Sequence, residues 1–289
     1  MRAFAYHAPR TLAEAVGILR REGGGGKILA GGTDLLIHFK ERGLVPRYVV
    51  SLRDVAELAA IAYDERQGLR IGAAAKLSDV AAHPVVQERY PILAQGASLV
   101  GSLQIQNLGT VVGNLCNAAP SADCAPPLIA LGAAVRIAGA GGERTLPLEQ
   151  FFVGPGRTVL EPDELVAEVL VPPPPARSGG NYERYTPRQE MDIAVAGVGS
   201  VIELGPGDRC AAARICLGAV APTPVRAGPA ERLLVGHDLS PERIERAAQA
   251  AAESARPIDD QRGSAAYRRH LVTVLTRRTL TAAWADARG

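Results

Sequence analysis

The alternation of apolar and polar positions predicts a succession of short strands and helices. Leu12, Ala15, Val16 and Leu19 recur at helical spacing behind a capping-box start at Thr11. Apolar runs of strand length follow, and Pro91 begins a further helix that runs to about Val100. The predicted strands are Lys27–Ala30, Tyr48–Leu52, Leu69–Ala73, Ala134–Ala138, Arg144–Leu148 and Leu165–Val171.

The pattern changes after the proline run Pro172–Pro175, which predicts an extended connector. Ala194–Leu204 and Cys210–Ala219 then indicate an antiparallel pair of strands joined by a Gly-Pro-Gly-Asp turn. Two helices are predicted beyond them, from Ser240 through Ser254 and from Ser264 to Ala285. On the last helix an apolar stripe faces the core, and four arginines are expected to be solvated: Arg268, Arg269, Arg277 and Arg278.

Composition and charge narrow the class of protein. The 289 residues are 47% hydrophobic and 4% aromatic, which suits an α+β protein of two or three lobes. A formal net charge of +2 without long basic runs argues against nucleic acid as a partner. No stretch has the length of a membrane span or the form of a signal core, so we expect a cytoplasmic location.

Candidate chemistry is concentrated in Ser98–Gly132, where Asp123 is the only ionisable side chain apart from two cysteines. Gly109 and Gly113 permit a positive φ and a close backbone approach. Backbone N–H groups there, with the Thr110 hydroxyl and the Asn114 amide, would form a concavity for phosphate. An ordinary glycine-containing loop is the alternative interpretation of this stretch.

A second glycine corner lies far away in the sequence. The strand Lys27–Ala30 is followed by Gly31, Gly32 and Thr33 and then by a helical start. This order aims a helix N-terminus at a pyrophosphate, with glycines that leave room for it and a hydroxyl that donates to it. The corner lacks the G-x-G-x-x-G fingerprint, so a Rossmann dinucleotide fold is not supported.

Together the two corners carry a family resemblance. AGGTDL at Ala30–Leu35 and IQNLGTVVGNLCNAAPSAD at Ile105–Asp123 resemble the FAD-binding medium subunit of molybdenum hydroxylases, the family of aerobic carbon monoxide dehydrogenase and xanthine dehydrogenase. The block YERYTPRQEMDIAVAGVG from Tyr182 resembles the start of the family's C-terminal domain. The resemblance implies an α+β chain: a two-lobed FAD-binding domain of the vanillyl-alcohol-oxidase/PCMH type, then an α+β C-terminal domain with a small antiparallel sheet. The expected boundaries are 1–53, 54–175 and 176–289.

The resemblance also implies which residues bind FAD. The diphosphate and ribityl chain would lie on Ile28, Leu29, Ala30, Gly31, Gly32, Thr33, Asp34 and Leu35, and on Gly101, Thr110, Val111, Val112, Gly113 and Asn114. Val112 replaces a glycine of the family's T-[IV]-G-G-N loop, which changes the expected φ and closeness of contact. Gln106 and Leu108 stand where many relatives have arginine, so flavin access or partner docking is expected to differ.

Three further residues take their roles from the resemblance. Asp123 matches a carboxylate that bonds the cofactor, on its sugar hydroxyls, with an ordinary loop cap as the alternative. Arg184 matches a lysine near the flavin, and arginine has a different donor geometry. Ile193 matches the residue that packs on the isoalloxazine face, with a core strand residue as the alternative.

The implied activity is electron transfer, with no catalytic acid or base from this chain. In the family a large molybdopterin subunit oxidises substrate, a small [2Fe-2S] subunit carries the electrons, and FAD on the medium subunit passes them to an acceptor such as NAD or a quinone. A dimer of heterotrimers, a heterohexamer, is the expected assembly. The cysteines (Cys116, Cys124, Cys210 and Cys216) match no cluster spacing, which favours free thiols over metal or disulfide.

Two other functions remain open. A self-contained FAD-dependent oxidoreductase would need a catalytic base near the flavin and often a histidine for covalent attachment, and His38 is expected on a helix beyond the first corner. A non-enzymatic nucleotide-binding module would bind ADP-like ligands without flavin absorbance. Co-purification with molybdenum and iron–sulfur chains would separate these functions from the first.

Overall fold

The computed structural model describes residues 3–188 and 191–289. The amino-terminal part is a small parallel α/β layer. Its elements are β1 Ala5–His7, α1 Leu12–Glu22, β2 Gly26–Leu29, α2 Leu35–Glu41 and β3 Tyr48–Ser51. The strand order is β1-β3-β2, and both pairings are parallel. Because α2 is the crossover between β2 and β3, the start of α2 lies at the carboxyl edge of this sheet.

The next part combines an antiparallel sheet with a run of short helices. In chain order its elements are β4 Ile61–Asp64, β5 Gly68–Gly72, α3 Leu77–Ala82, α4 Pro84–Arg89, α5 Pro91–Ser98, α6 Leu103–Gln106, α7 Val111–Asn117, α8 Ala125–Ala130, β6 Ala134–Gly139, β7 Gly142–Pro147, β8 Phe152–Gly154, β9 Arg157–Thr158 and β10 Leu165–Val171. The sheet order is β4-β5-β10-β6-β7, and β8 pairs with β9. The stretch Ser98–Gly132, expected as a loop leading into a helix, thus contains α6, α7 and α8.

The carboxyl-terminal part is a four-stranded antiparallel sheet covered by helices. Its elements are β11 Ser178–Tyr185, β12 Ala196–Leu204, β13 Cys210–Gly218, β14 Val225–Arg226, α9 Gly228–Leu234, α10 Pro241–Ser254 and α11 Ala265–Arg288. The strand order is β11-β12-β13-β14. The predicted β12–β13 hairpin and both long helices are confirmed, whereas β11 was not anticipated as a strand.

Two hydrophobic cores organise the chain. One is built from side chains between Ala15 and Val171, together with Tyr182 and Cys216 from the four-stranded sheet. The other lies between that sheet and α9, α10 and α11. The first core therefore extends past the proline connector, and the parallel layer, the antiparallel sheet and β11 share one apolar interior.

Helix α8 packs against the four-stranded sheet at two glycines. A Cβ on Gly199 would lie 3.0 Å from the carbonyl oxygen of Pro126, and a Cβ on Gly218 would lie 2.7 Å from Cγ of the same proline. The second distance is shorter than real Cβ contacts, and the first is tighter than nearly all of them. The lack of a side chain at Gly199 of β12 and Gly218 of β13 lets this helix pack closely against the sheet.

Arg268 corrects a sequence expectation. Predicted as solvated, its side chain is 5% exposed and donates to the carbonyl oxygens of Val195 at 2.8 Å and Ala219 at 3.2 Å, and to Asp260 Oδ1 at 2.7 Å. The helical pattern places the arginine on α11 correctly. It does not show that two chain segments deliver carbonyl groups to that position.

We expect Arg268→Met to lower the free energy of unfolding by about 3 kcal/mol, because two buried carbonyls and an ion pair lose their donor. Arg269→Met, at the neighbouring exposed position, is the control and should change it by less than about 0.5 kcal/mol. Urea unfolding followed by circular dichroism measures both. Equal midpoints for the two variants would contradict this reading of Arg268.

All four thiols lie in the described part of the chain and are free. Cys124, Cys210 and Cys216 are buried, and burial raises the pKa of Cys116 to about 12. Such thiols are poor nucleophiles and poor metal ligands. Among the described residues no cluster of three or more His, Cys, Asp or Glu side chains is arranged to hold a metal ion, and no helix there is long and apolar enough to cross a membrane.

Candidate functional site: two glycine corners in contact

The first corner lies between the end of β2 and the start of α2. Gly32 has φ +79°, a conformation that glycine adopts without strain. Asp34, at the N-cap of α2, makes no side-chain capping bond. The backbone N–H groups of the five residues 31–35 donate no hydrogen bond to any residue that the structure describes. Such a row of N–H groups is suited to an anionic ligand.

The two corners, far apart in sequence, touch. A Cβ on Gly31 would lie 2.1 Å from the carbonyl oxygen of Leu108 and 2.6 Å from Cα of Gly109. A Cβ on Gly109 would lie 3.5 Å from Oγ1 of Thr33. The N–H of Leu77 donates to the carbonyl oxygen of Gly109 at 2.9 Å, and this bond holds the second corner in place. Both corners therefore border the same space.

The second corner leads into α7. Thr110 is the N-cap, and its Oγ1 accepts a hydrogen bond from the Gly113 N–H at 2.9 Å. A Cβ on Gly113 would lie 2.9 Å from the same oxygen, which explains glycine at this position. In this bond the Thr110 oxygen is the acceptor. The hydroxyl can therefore still donate its proton to a further acceptor.

Glycine permits a positive φ at positions 109 and 113, but neither residue adopts one, whereas Gly101 does, with φ +60°. Close packing, and not left-handed backbone, requires the two glycines. Val112 lies within α7 with 4% exposure, so valine at this family glycine position is a buried core residue with helical φ. Val111 is fully buried beside it.

Sequence reasoning did not foresee the role of Gln106. Its side-chain amide donates to the carbonyl oxygens of Ser98 at 2.7 Å and Val100 at 3.1 Å. These bonds fasten the end of α5 and the turn at Gly101 to α6. Gln106 thus shapes the approach to the second corner, and neighbouring Leu108 is 53% exposed at its rim.

Asp123 is buried, and each of its two carboxylate oxygens accepts one hydrogen bond. Its Oδ1 accepts a hydrogen bond from the Tyr182 hydroxyl at 2.8 Å, and its Oδ2 accepts one from Arg184. The Arg184 and Asp123 side chains are 5% and 7% exposed. Burial raises the pKa of Asp123 to about 6, an effect that the Arg184 charge and the Tyr182 hydroxyl partly oppose. Arg184 and Tyr182 thus favour the ionised carboxylate, whereas burial favours the protonated form.

The other predicted site residues have different surroundings. Arg184, expected near the flavin, points its guanidinium at Asp123. Ile193 lies outside the strands with 47% exposure, so the alternative of a core strand residue does not hold. Asn114 accepts a hydrogen bond from the Cys124 N–H at 3.3 Å through Oδ1, which leaves its NH₂ group for a ligand. Ile28, Leu29 and Ala30 lead into the first corner, and Leu35 begins α2.

These features fit a cofactor with a diphosphate at its centre. Because Gly31 carries no Cβ, the two corners pack directly against each other to form one cradle, and the row of N–H groups supplies donors for phosphate oxygens. Exposed Ile193 offers an apolar surface of the kind that an aromatic ring system covers. His38, the histidine nearest in sequence to the first corner, lies on α2 as expected.

Comparisons with known proteins agree with this reading. Residues 2–174 match the model of the FAD binding domain in molybdopterin dehydrogenase, and residues 182–283 match that of the CO dehydrogenase flavoprotein C-terminal domain. The carbon monoxide dehydrogenase medium chain of Hydrogenophaga pseudoflava is 35% identical over 98% of this chain and 97% of its own. The xanthine dehydrogenase FAD-binding subunit of Escherichia coli O157:H7 is 33% identical over 99% and 97%.

Solved structures give the same result. Carbon monoxide dehydrogenase from Hydrogenophaga pseudoflava, in a form lacking the Mo-pyranopterin moiety, superposes with a TM-score of 0.93 at 36% identity and covers 99% of this chain and 98% of its own. Quinoline 2-oxidoreductase from Pseudomonas putida 86 superposes with a TM-score of 0.91 at 31% identity and covers 99% and 98%. The likeness extends over the whole length of both chains.

Proposed function

The chain belongs to the family of FAD-binding medium subunits of the molybdenum hydroxylases, and on that premise we propose that it relays electrons from the [2Fe-2S] clusters of a small partner subunit to an external acceptor. It is an FAD-binding oxidoreductase subunit. When bound, FAD supplies the ability to take electrons singly and release them as a pair. The observation that carries the proposal is the contact of Gly31 with Leu108 and Gly109, which makes one cradle from two distant motifs.

In this proposal the chain's own residues bind and orient the cofactor. The N–H groups of residues 31–35 and the Thr110 hydroxyl hold the diphosphate. The Asn114 NH₂ group binds the adjoining chain, and Ile193 covers the ring system and limits its contact with water. Asp123 already accepts bonds from Tyr182 and Arg184, and its remaining lone pairs are what a sugar hydroxyl would use.

The partners follow from the same premise. We propose a large molybdopterin-binding subunit and a small [2Fe-2S] subunit, assembled as a dimer of heterotrimers in the cytoplasm, with NAD or a quinone as acceptor. Relatives named as medium chains or FAD subunits of carbon monoxide, xanthine and nicotinate dehydrogenases support this assignment. The three-part division at residues 53 and 175 remains part of the proposal.

Native co-purification tests the function. The chain should carry roughly stoichiometric, visibly yellow FAD and should co-purify with a chain containing molybdenum and a chain containing iron–sulfur clusters. Reduction of the complex, followed by addition of NAD or a quinone, identifies the acceptor from the return of flavin absorbance. Turnover of a small substrate by the isolated yellow chain would instead support the self-contained oxidoreductase. A colourless chain that binds ADP would support the nucleotide-binding module.

A further inference from the structure

We propose that Tyr182, a residue of the four-stranded sheet, is a positioning residue for the FAD site and sets the shape of the second corner through Asp123. The inference rests on the proposed function, since the ligand whose affinity it affects is FAD. Tyr182 acts by fixing the polypeptide that leads to the second corner.

Tyr182 is tied to the preceding part of the chain at both ends. Its backbone N–H donates to Gln95 Oε1 on α5 at 2.8 Å, and its hydroxyl donates to Asp123 Oδ1 at 2.8 Å. The residue is 4% exposed. A hydrogen bond from a neutral hydroxyl to a buried carboxylate is of the stronger kind, because the acceptor is charged and poorly hydrated.

From Asp123 the connection to the corner is short. The next residue, Cys124, donates its N–H to Asn114 Oδ1 at 3.3 Å, and Asn114 lies on α7. The N-cap of that helix is Thr110, which begins the second corner. The orientation of the Asn114 side chain, and hence of the NH₂ group offered to FAD, depends on where the Asp123–Cys124 backbone lies.

A glycine on the neighbouring strand leaves space for the Tyr182 hydroxyl. Gly197 of β12 pairs with Arg184 of β11, and a Cβ on Gly197 would lie 2.8 Å from the Tyr182 hydroxyl oxygen but 3.4 Å from the nearest ring carbons. A methyl group at position 197 would therefore clash with the hydroxyl but not with the ring. Gly197 and the hydroxyl therefore form a pair that can be tested together.

Tyr182→Phe removes the hydroxyl, and Gly197→Ala displaces it. We expect each variant to bind FAD about tenfold more weakly than the wild type, measured by quenching of flavin fluorescence on titration of the deflavinated full-length chain. The double variant should lose no more than either single one, because the added methyl has no hydroxyl to displace. Tyr63→Phe is the control: it also removes a hydroxyl that donates to a carboxylate, Glu65, at 3.1 Å, but Tyr63 lies on β4 and in neither corner.

If the role of Tyr182 were purely structural, the variants would have shifted unfolding midpoints but the same FAD affinity as the wild type. That result would overturn the inference. Independent, additive losses in the double variant would also overturn it. Should Tyr182→Phe fail to fold, Gly197→Ala alone tests the same displacement. A wild-type chain that binds no FAD would refute the proposed function, whereas normal binding by all variants would refute only the role of Tyr182.

Discussion

Gly31→Ala is expected to weaken FAD binding severely while the rest of the fold persists. The new Cβ would lie 2.1 Å from the Leu108 carbonyl oxygen and 2.6 Å from the Gly109 Cα. Both are backbone atoms, so no side chain can rotate aside and the two corners must separate. We expect the dissociation constant for FAD to rise by about 100-fold or more, equivalent to about 3 kcal/mol of binding free energy.

Fluorescence titration with FAD measures the effect, and circular dichroism verifies the fold. Gly17→Ala is the matched control, because nothing lies within 4 Å of a Cβ at that helical position. It should bind FAD normally and gain up to about 1 kcal/mol of stability, since alanine favours helix over glycine. Wild-type affinity in Gly31→Ala would mean that the touching corners are not the FAD cradle.

Arg184→Met is expected to destabilise the protein strongly at pH 8 and much less at pH 5. The substitution leaves the buried Asp123 carboxylate without its cation, a change that costs about 3 to 5 kcal/mol when the carboxylate is charged. Burial raises the pKa of Asp123 to about 6 even with Arg184 present, and Arg184 acts to lower it. In the variant that pKa therefore rises further.

The direction of the pH dependence follows from linkage. A carboxyl whose pKa is higher in the folded than in the unfolded state binds its proton more tightly when folded, so its contribution to stability is present at low pH and lost as the pH rises through the folded pKa. Urea midpoints of wild type and variant at pH 5, 6.5 and 8 measure the difference. Arg278→Met, which removes a largely exposed arginine facing Glu183 of β11, should show a small effect at every pH. A loss in Arg184→Met that is independent of pH would contradict the assignment.

Local signals in the sequence were sufficient for much of the fold. Thr11, Ser240 and Ser264 all cap the helices that they were expected to begin, because a cap depends on the few residues that follow it. Strand β10 has the predicted bounds Leu165–Val171, since a continuous apolar run of that length fits a buried central strand. The two corner motifs were likewise found from the sequence.

What the sequence did not reveal depends on contacts between distant segments. The burial of Arg268 requires carbonyl groups from Val195 and Ala219, and nothing near the arginine in the chain indicates them. Glycine at 109 and 113 permits both a positive φ and a close approach, and only the close approach is present in the structure. The engagement of Asp123 by Tyr182 is equally non-local.

The glycine seat of α8 has a consequence for exchanging parts between relatives. The proline connector looks like a natural place to join the amino-terminal portion of one protein to the sheet of another. Because Pro126 rests where Gly199 and Gly218 carry no side chain, an incoming sheet with larger residues at these two positions would hold the helix away. A chimera joined at Pro172–Pro175 should therefore pack correctly only when the donor sheet has glycine at both positions. These two residues predict the outcome better than sequence identity across the junction does.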